Sequence, residues 1–274
     1  MTVLRTRIFT ALIIVPATLA GVFLPPSWLF QILISILLLT GCWEFRRLAA
    51  LPAAAGWALQ LLQTAVIASL IYFWPSIKTE VSWLLAPGCL LWLLMFGRMR
   101  TFRNDAAPGS RYLYLGFLSA LASITFCWIA LAWLHDQPNG PFVLFLLLLV
   151  IWASDVGAYF AGKQFGRHKL APVISPKKTW EGVYGGIALA MAAAFLWSEF
   201  IAGLDIRVIP LLAITTATSL ASIGGDLFIS FHKRTVGLKD TGTIFPGHGG
   251  ILDRYDSLLA GAPFFALAYG VLAP

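Results

Sequence analysis

Twenty residues from Pro141 to Phe160 read PFVLFLLLLVIWASDVGAYF, with one charged residue, Asp155, among them. A helix needs about 20 mainly apolar residues to cross the hydrocarbon core of a bilayer, so this run predicts a transmembrane helix. Further apolar runs follow on both sides, and we expect an all-α, polytopic bundle of about nine membrane-spanning helices. The predicted spans are Ile8–Leu24, Ser27–Phe45, Trp57–Trp74, Val81–Phe96, Leu113–Leu134, Pro141–Phe160, Gly182–Ile201, Ile206–Ile229 and Ser257–Leu272.

The amino-acid composition also argues against a soluble protein. Of the 274 residues, 59% are hydrophobic and 11% are charged, whereas a soluble domain carries about 25% charged residues. The formal charge of +7 fits attraction to anionic lipid headgroups better than nucleic-acid binding, because the basic residues are scattered among short loops. Cys42, Cys89 and Cys127 lie singly in apolar runs, which indicates packing residues and no disulfide framework.

The basic residues between the spans predict the orientation in the membrane. If the N-terminus is cytoplasmic, 17 of the 19 Lys and Arg residues fall on the inner side, with Lys78 and Arg207 on the outer side. Cytoplasmic loops of membrane proteins are enriched in Lys and Arg, so we expect an inner N-terminus and an outer C-terminus. Arg5 and Arg7 precede the first apolar run without a convincing cleavage site after it, and we interpret this run as a retained helix.

The distribution of ionisable residues predicts two regions. Residues 1–112 are expected to be transmembrane helices that serve packing, lipid access or dimerisation, and residues 113–274 a transmembrane catalytic region. In the second region, most ionisable residues lie in two long connections, Ala161–Glu181 and Ser230–Asp256. Loops longer than about 12–15 residues are usually functional or disordered. Between them, the small residues of Gly182–Ala194 predict a closely packed helix.

Asp155 and the segment Ser175–Gly182 are the first candidates for binding residues. A lone carboxylate inside a membrane is by default a hypothesis of function, with a structural hydrogen bond as the alternative. The segment Ser175–Gly182 reads SPKKTWEG, which predicts a turn before a helix start. Its polar side chains, together with the amides of the helix N-terminus, are expected to bind an anionic phosphate. A basic patch at the membrane surface is the alternative.

The densest polar stretch begins at Asp226. If the eighth span continues as a helix, Asp226, Ser230 and Lys233 share one face, and the three-residue spacing of Asp253 and Asp256 predicts a second shared face. Crowded carboxylates repel one another, so a bound metal is the natural way to keep them ionised. Mg²⁺ takes a few carboxylates and completes its shell with water and substrate phosphates. A network of interfacial ion pairs is the alternative.

These residues carry a resemblance to a known family. From Ser230 to Asp256 the chain resembles the pattern of the phosphatidate cytidylyltransferases, also called CDP-diacylglycerol synthases, with every spacing kept. His232 and Tyr255 depart from that pattern, at positions that carry no charge chemistry. The segment Ser175–Gly182 is similar to a second pattern of the family. The matching positions are Ser230, Lys233, Arg234, Lys239, Asp240, Pro246, His248, Gly249, Gly250, Asp253, Arg254 and Asp256.

The resemblance implies an integral membrane nucleotidyltransferase of phospholipid biosynthesis. Its reaction condenses CTP with phosphatidic acid to give CDP-diacylglycerol and pyrophosphate. The resemblance also implies Mg²⁺ at Asp226, Asp253 and Asp256, a second cation such as K⁺, and a homodimer. We expect a multi-pass protein of the bacterial inner membrane whose active site faces the cytoplasm, and no nucleic-acid partner.

The expected roles follow from the chemistry of phosphoryl transfer, which is mostly positioning and charge neutralisation. A phosphate oxygen of phosphatidate is already ionised near neutral pH, so no strong general base is required. The expected catalytic residues are Asp226, Lys233, Arg234, Lys239, Asp253 and Asp256. The expected substrate-binding residues are Asp155, Ser175, Lys178, Thr179, Glu181, Ser230, Asp240, His248, Gly249, Gly250 and Arg254.

Three other classes of protein compete with this interpretation. Transporters place their sites near the bilayer midplane and are often built from repeated halves, whereas the acidic residues of this chain collect near span ends and its halves look unlike. A CDP-alcohol phosphotransferase would carry an Asp-Gly-x2-Ala-Arg motif, which this sequence lacks. A purely structural scaffold explains the helices but leaves the polar stretch without a role.

Overall fold

The computed structural model describes residues 3–100, 109–200, 206–244 and 249–273 of the chain. Within these ranges it contains α-helices, a short 3-10 helix (Lys78–Glu80) and a two-stranded hairpin. The helices are α1 (Val3–Phe23), α2 (Ser27–Leu48), α3 (Ala53–Ile77), α4 (Val81–Met99), α5 (Ser110–His135), α6 (Gly140–Phe165), α7 (Trp180–Phe200), α8 (Val208–Thr235) and α9 (Leu252–Leu272); the strands are β1 (Lys169–Ala171) and β2 (Ser175–Thr179).

The described helices confirm an almost all-α, multi-pass membrane protein. Seven of them are long and apolar enough to cross a membrane, namely α2, α3 with the 3-10 turn that follows it, and α5 to α9. The first and fourth helices contribute shorter apolar segments, Leu12–Phe23 and Trp83–Met99. The number of spans, the inner N-terminus and the division of the chain at residue 112 stay predictions.

Two helices reach further into the polar connections than hydropathy predicts. α8 continues to Thr235, past the predicted end at Ile229, and α9 begins at Leu252, before the predicted start at Ser257. Hydropathy detects only the apolar part of a span, whereas a helix continues wherever its backbone hydrogen bonds can form. The basic residues in the last turn of α8 also interact favourably with the negative end of the helix dipole.

A β-hairpin occupies the connection between α6 and α7, which was expected to be a loop. Its strands pair antiparallel, with Lys169 opposite Thr179 and Ala171 opposite Ser175. β1 has only three residues, and β2 (SPKKT) has no apolar β-branched or aromatic residue, so neither shows the alternation from which a strand is predicted. The amide of Trp180 donates to the His168 carbonyl (3.0 Å), so the hairpin continues directly into α7.

α6 and α7 pack closely through small residues, as the sequence predicts. A Cβ atom at Gly186 would lie 2.7 Å from the Ser154 carbonyl oxygen, and one at Gly182 would lie 2.9 Å from the Ala158 carbonyl oxygen. Each distance is too short for a side chain, so the two backbones approach to a separation that only glycine permits. This packing fixes the position of α6 relative to the hairpin that precedes α7.

The first half of the chain packs against the second at the end of the bundle that carries the hairpin. The Tyr112 hydroxyl donates to the Leu48 carbonyl (2.6 Å) and lies 2.7 Å from Nδ1 of His232. His232 is buried, and its ring packs against Phe45 and Phe228. The departure from the family pattern at position 232 therefore places a hydrogen-bonding ring where α2, α5 and α8 meet.

Candidate active site

The last three turns of α8 supply the polar face that the sequence predicts. The Ser230 hydroxyl, one turn beyond Asp226, donates to Asp226 Oδ1 (3.2 Å). One further turn along, Lys233 Nζ donates to Asp253 Oδ1 on α9 (2.8 Å). α8 is helical through all three positions, so the prediction that Asp226, Ser230 and Lys233 share a helix face is confirmed.

The hairpin brings Lys178 to the same face of α8. Lys178 Nζ lies 2.7 Å from Asp226 Oδ2 and donates to the Ile223 carbonyl (3.3 Å). Both side chains of the ion pair are only partly buried, so the pair is accessible from solvent. The neighbouring Lys177 is exposed, because successive side chains of a strand point to opposite faces. Two segments that are distant in the sequence thus meet at Asp226.

Asp253 is enclosed by the turn that precedes α9. Its Oδ2 accepts hydrogen bonds from the amides of Thr241 (2.8 Å) and Gly250 (3.0 Å), in addition to the Lys233 contact. Gly249 has φ +81° and lies against the Asp253 carboxylate, so a side chain there would be strained and would collide with it. Gly249 and Gly250, which are expected to bind substrate, therefore lie against the Asp253 carboxylate.

Asp256 lies beyond a break in α9 and faces a different environment. Tyr255 has non-helical angles (φ −129°, ψ 16°), so the helix is interrupted between Asp253 and Asp256. The prediction that these two carboxylates share one regular helix face was wrong, because that spacing rule applies only to an unbroken helix. Asp256 accepts a hydrogen bond from the Ser257 amide (2.7 Å), and its carbonyl oxygen lies against Gly225 of α8, the residue before Asp226.

Two of the carboxylates at this end of the bundle form ion pairs with lysine residues. Lys178 pairs with Asp226 and Lys233 pairs with Asp253, whereas Asp155 and Asp256 form no ion pair with any residue that the structure describes. Asp256 lies beside α8, because a Cβ atom at Gly225, the residue before Asp226, would lie 2.6 Å from the Asp256 carbonyl oxygen. Ionised carboxylates that lie close together repel one another. A bound cation would relieve this repulsion.

The carboxylates fit Mg²⁺ in part. Among the described residues, no group of three or more His, Cys, Asp or Glu side chains is arranged to hold a metal ion. Asp253 is engaged by Lys233 and two backbone amides, and Asp226 is engaged by Lys178 and Ser230. Asp226 and Asp256 lie where α8 and α9 meet at Gly225. One or two carboxylates together with substrate phosphates suffice for Mg²⁺, so this pair fits the ion. Asp253 as a third ligand stays a prediction.

The other expected substrate-binding residues of the hairpin and α7 have structural contacts. Thr179 is buried, and its hydroxyl accepts a hydrogen bond from the Gly182 amide (3.2 Å) at the start of α7. The Glu181 carboxylate accepts from the amides of Arg167 (3.1 Å) and His168 (3.2 Å), and it lies 2.7 Å from the His168 ring. Ser175 lies at the far end of β2, where it pairs with Ala171.

The remaining expected residues lie around the rim of the cluster. Arg234 Nε donates to the Ile174 carbonyl at the hairpin tip (3.3 Å). Lys239, Asp240 and Arg254 are exposed. His248 lies outside the described residues.

Two residues near this site were missed by the sequence reasoning. The carboxylate of Glu44 on α2 accepts hydrogen bonds from the amides of Ile251 (3.0 Å) and Leu252 (2.9 Å) and from the Thr241 hydroxyl (2.7 Å). Glu44 carried a usable signal, because it is a lone carboxylate in an apolar span and such residues are by default candidates for function. Thr241 carried no such signal.

Comparisons with known proteins identify the family of the chain. A family model described as the cytidylyltransferase family matches residues 5–272. The phosphatidate cytidylyltransferase of Pseudomonas aeruginosa is 36% identical over 264 residues, with 96% of each chain covered. That of Haemophilus influenzae is 32% identical over 287 residues, covering 97% of this chain and 98% of the relative. That of Brucella suis biovar 1 is 36% identical over 283 residues, covering 100% and 96%. The chain therefore belongs to the cytidylyltransferase family.

Proposed function

We propose that Lys178, Asp226, Lys233 and Asp256 form the site at which this integral membrane nucleotidyltransferase condenses CTP with phosphatidate. The products are CDP-diacylglycerol and pyrophosphate. Relatives named phosphatidate cytidylyltransferase match nearly the whole chain, which supports the activity. The observation that carries the choice of site is the 2.7 Å contact between Lys178 and Asp226, since it joins two distant segments that both resemble the family pattern.

The reaction requires two polyanions to meet. A phosphate oxygen of phosphatidate attacks the α-phosphorus of CTP, and this new P–O bond completes the diphosphate of CDP-diacylglycerol. The bond from the α-phosphorus to the bridging oxygen of the β-phosphate breaks, and its electron pair leaves with pyrophosphate. Lys178 and Lys233 would neutralise phosphate oxygens of the two substrates. Preorganised cations of this kind stabilise the charge of a phosphoryl-transfer transition state.

Asp226 and Asp256 are the residues that would hold Mg²⁺. When bound, the ion would supply Lewis-acid neutralisation of the phosphate oxygens. Ser230 would orient the Asp226 carboxylate through its hydrogen bond (3.2 Å), and Asp253 would orient the Lys233 ammonium group (2.8 Å). The second cation and the homodimer stay predictions.

An apolar cavity beside this site supports a lateral path for the lipid. It has a volume of about 440 Å³ and is lined by the hairpin tip, the end of α4 and one face of α8. Ile223 lines the cavity and also accepts the hydrogen bond from Lys178, so the cavity borders the charged site directly. We place the acyl chains of phosphatidate in this cavity with the phosphate towards Lys178. CTP would arrive from the aqueous side.

The location follows from the helices and the relatives. The protein has several helices that can span a membrane, and the relatives compared above are bacterial. We propose the inner membrane as the location, with the site facing the cytoplasm. The site lies on the side whose predicted ends and connections together carry 17 of the 19 Lys and Arg residues, and such enrichment is typical of the cytoplasmic side.

The decisive assay uses purified protein in detergent micelles with phosphatidate, Mg²⁺ and each of the four nucleoside triphosphates. We expect pyrophosphate and CDP-diacylglycerol with CTP alone, and no product when a chelator removes Mg²⁺. Asp256→Asn should remove turnover without preventing membrane insertion. Pyrophosphate release with every triphosphate, or full activity of Asp256→Asn, would contradict the assignment.

A further inference from the structure

Glu44 is a buried carboxylate on a helix that is expected to serve packing, lipid access or dimerisation. Its exposed fraction is 4%, and it lies near the end of the apolar helix α2, between Trp43 and Phe45. Burial of a carboxylate in a membrane helix is expensive unless hydrogen bonds or charges compensate it. The contacts of Glu44 therefore indicate what keeps it there.

Each contact of the Glu44 carboxylate leads to the chain just before or at the start of α9. Oε1 accepts from the Ile251 amide (3.0 Å), and Oε2 accepts from the Leu252 amide (2.9 Å) and the Thr241 hydroxyl (2.7 Å). The first amides of a helix have no partner within the helix, and α9 has no side-chain cap of its own. A carboxylate from α2 thus provides the cap, at the end where the helix dipole favours negative charge.

The same turn is held from its other side by Asp253. Asp253 Oδ2 accepts from the amides of Thr241 and Gly250, and it lies 3.0 Å from the Thr241 hydroxyl oxygen. The hydroxyl has one proton, and its shorter contact is the one to Glu44. Glu44 and Asp253 therefore bind the described residues on the two sides of this connection, Thr241 and Gly250–Leu252, and the Thr241 hydroxyl lies between the two carboxylates.

The turn is shaped to admit the Glu44 carboxylate. Gly242 and Gly250 both lie against its oxygens, so a side chain at either position would collide with Glu44. Gly250 follows Gly249, whose positive φ brings the backbone around Asp253. Gly242 and Gly250 therefore leave room for the Glu44 carboxylate, and Gly249 leaves room for the Asp253 carboxylate.

We infer that Glu44 is a positioning residue for the transfer reaction. It acts through the turn and the first amides of α9, which set where Asp253 and Asp256 stand relative to α8. Because Glu44 is buried and its carboxylate is bound by the chain itself, we expect it to contact neither substrate. The expected effect of Glu44 on the reaction rate rests on the proposed function. Its effect on the backbone at the start of α9 can be measured without any substrate.

The test compares Glu44→Gln with three matched variants. The Gln side chain keeps the size of Glu but replaces one carboxylate oxygen, which accepts hydrogen bonds, by an NH₂ group, which cannot accept them. Thr241→Val removes the hydroxyl and keeps the shape, whereas Thr241→Ser keeps the hydroxyl. Glu80→Gln is the control for loss of a glutamate charge, because Glu80 is exposed in the 3-10 helix between α3 and α4.

The first measurement is the rate of CDP-diacylglycerol formation as a function of Mg²⁺ concentration, on protein shown to be folded by gel filtration and thermal unfolding. We expect Glu44→Gln and Thr241→Val to lower kcat about tenfold or more, as loss of hydrogen bonds to a charged group implies. The Mg²⁺ concentration for half-maximal rate should rise at the same time. Thr241→Ser and Glu80→Gln should resemble the wild type in both quantities.

The second measurement is hydrogen exchange of the backbone amides without substrate. In Glu44→Gln the amides of Gly250, Ile251 and Leu252 should exchange faster, while those of α6 and α7 keep the wild-type rate. An even increase over all helices would indicate a general structural role and would overturn the inference. So would a folded Glu44→Gln enzyme with wild-type kcat and Mg²⁺ dependence.

The two proposals fail differently. A wild-type protein that makes no CDP-diacylglycerol contradicts the proposed function, and the exchange measurement still decides whether Glu44 holds the turn. An active wild type with an unaffected Glu44→Gln variant contradicts only the positioning role. If Glu44→Gln does not accumulate in folded form, the Thr241→Val and Thr241→Ser pair makes the same comparison with a smaller change.

Discussion

Replacement of Lys178 by Met removes the ammonium group that joins the hairpin to α8. Met keeps most of the length and the apolar stem of Lys, so the substitution changes charge more than shape. Lys178 Nζ lies 2.7 Å from Asp226 Oδ2 and also donates to the Ile223 carbonyl. The variant leaves Asp226 without its ion-pair partner.

The expected magnitudes differ for stability and for catalysis. At 2.7 Å and an effective dielectric constant of about 20, the gross attraction of the pair is about 6 kcal/mol. Desolvation and screening cancel most of this for partly exposed groups, so the free energy of unfolding should fall by only about 1 kcal/mol. In the transition state the cation faces transferring phosphates, and loss of one such group typically lowers kcat by about 10²–10³-fold.

The assay is CDP-diacylglycerol formation by purified protein in detergent at saturating CTP, phosphatidate and Mg²⁺. Lys177→Met is the matched control, because Lys177 is the adjacent residue of β2 and its side chain is exposed. We expect wild-type kcat for Lys177→Met and a loss of about 100-fold or more for Lys178→Met. Thermal unfolding of both variants checks that the fold is intact.

Two results would refute this reasoning. If folded Lys178→Met kept a kcat within a few-fold of the wild type, the Lys178–Asp226 pair would be a structural contact only. If Lys177→Met lost as much activity as Lys178→Met, the effect would come from the overall basic charge of the hairpin and not from a positioned cation.

Three further predictions concern the metal, the turn and the helix packing. Mg²⁺ should raise the thermal unfolding temperature of the wild type, because a ligand stabilises the state that binds it. The Asp256→Asn variant should not show this rise. An equal rise in the wild type and in the variant would exclude Asp256 as a ligand. Gly249→Ala should lower kcat strongly, because its Cβ atom would meet the Asp253 carboxylate. The control is Gly237→Ala, which also has positive φ (+68°) but lies in open space; it should cost about 1 kcal/mol of stability and keep the wild-type kcat. An equal kcat for the two variants would contradict the close contact between Gly249 and Asp253. Gly186→Leu should destabilise the protein by several kcal/mol, because α6 and α7 are in contact at Gly186. Gly21→Leu is the control and should leave stability unchanged, because a Cβ atom at Gly21 has no neighbour within 4 Å. Similar unfolding temperatures for the two variants would refute the close packing of α6 and α7.

The helical face of α8 shows how far local rules reach. Asp226, Ser230 and Lys233 were predicted to lie together because helical periodicity relates residues one turn apart, and α8 is unbroken over this stretch. The same rule failed for Asp253 and Asp256, because Tyr255 leaves the helical conformation between them. Spacing in the sequence predicts a shared face only when the backbone between the residues stays regular.

The contacts of Lys178 and Glu44 lie beyond any local rule. Lys178 could be predicted to bind an anion, but nothing near it in the sequence identifies Asp226 as its partner. Glu44 contacts a turn about two hundred residues further along the chain. Such pairs depend on how helices and hairpin pack, and packing energies arise from many contacts spread over the whole bundle.

The class of the protein, its apolar helices, its family resemblance and its densest polar stretch can all be predicted from the amino-acid sequence. These properties depend on composition, on the length of apolar runs and on spacing within one segment, all of which are local. The packing of the helices adds three features that no local pattern predicts: the backbone amides around Asp253, the contact of Asp256 with α8 beside Asp226, and the cap that Glu44 of α2 provides for α9. The physical reason is that buried donors and acceptors must find partners in space, and the partner available can be anywhere along the chain.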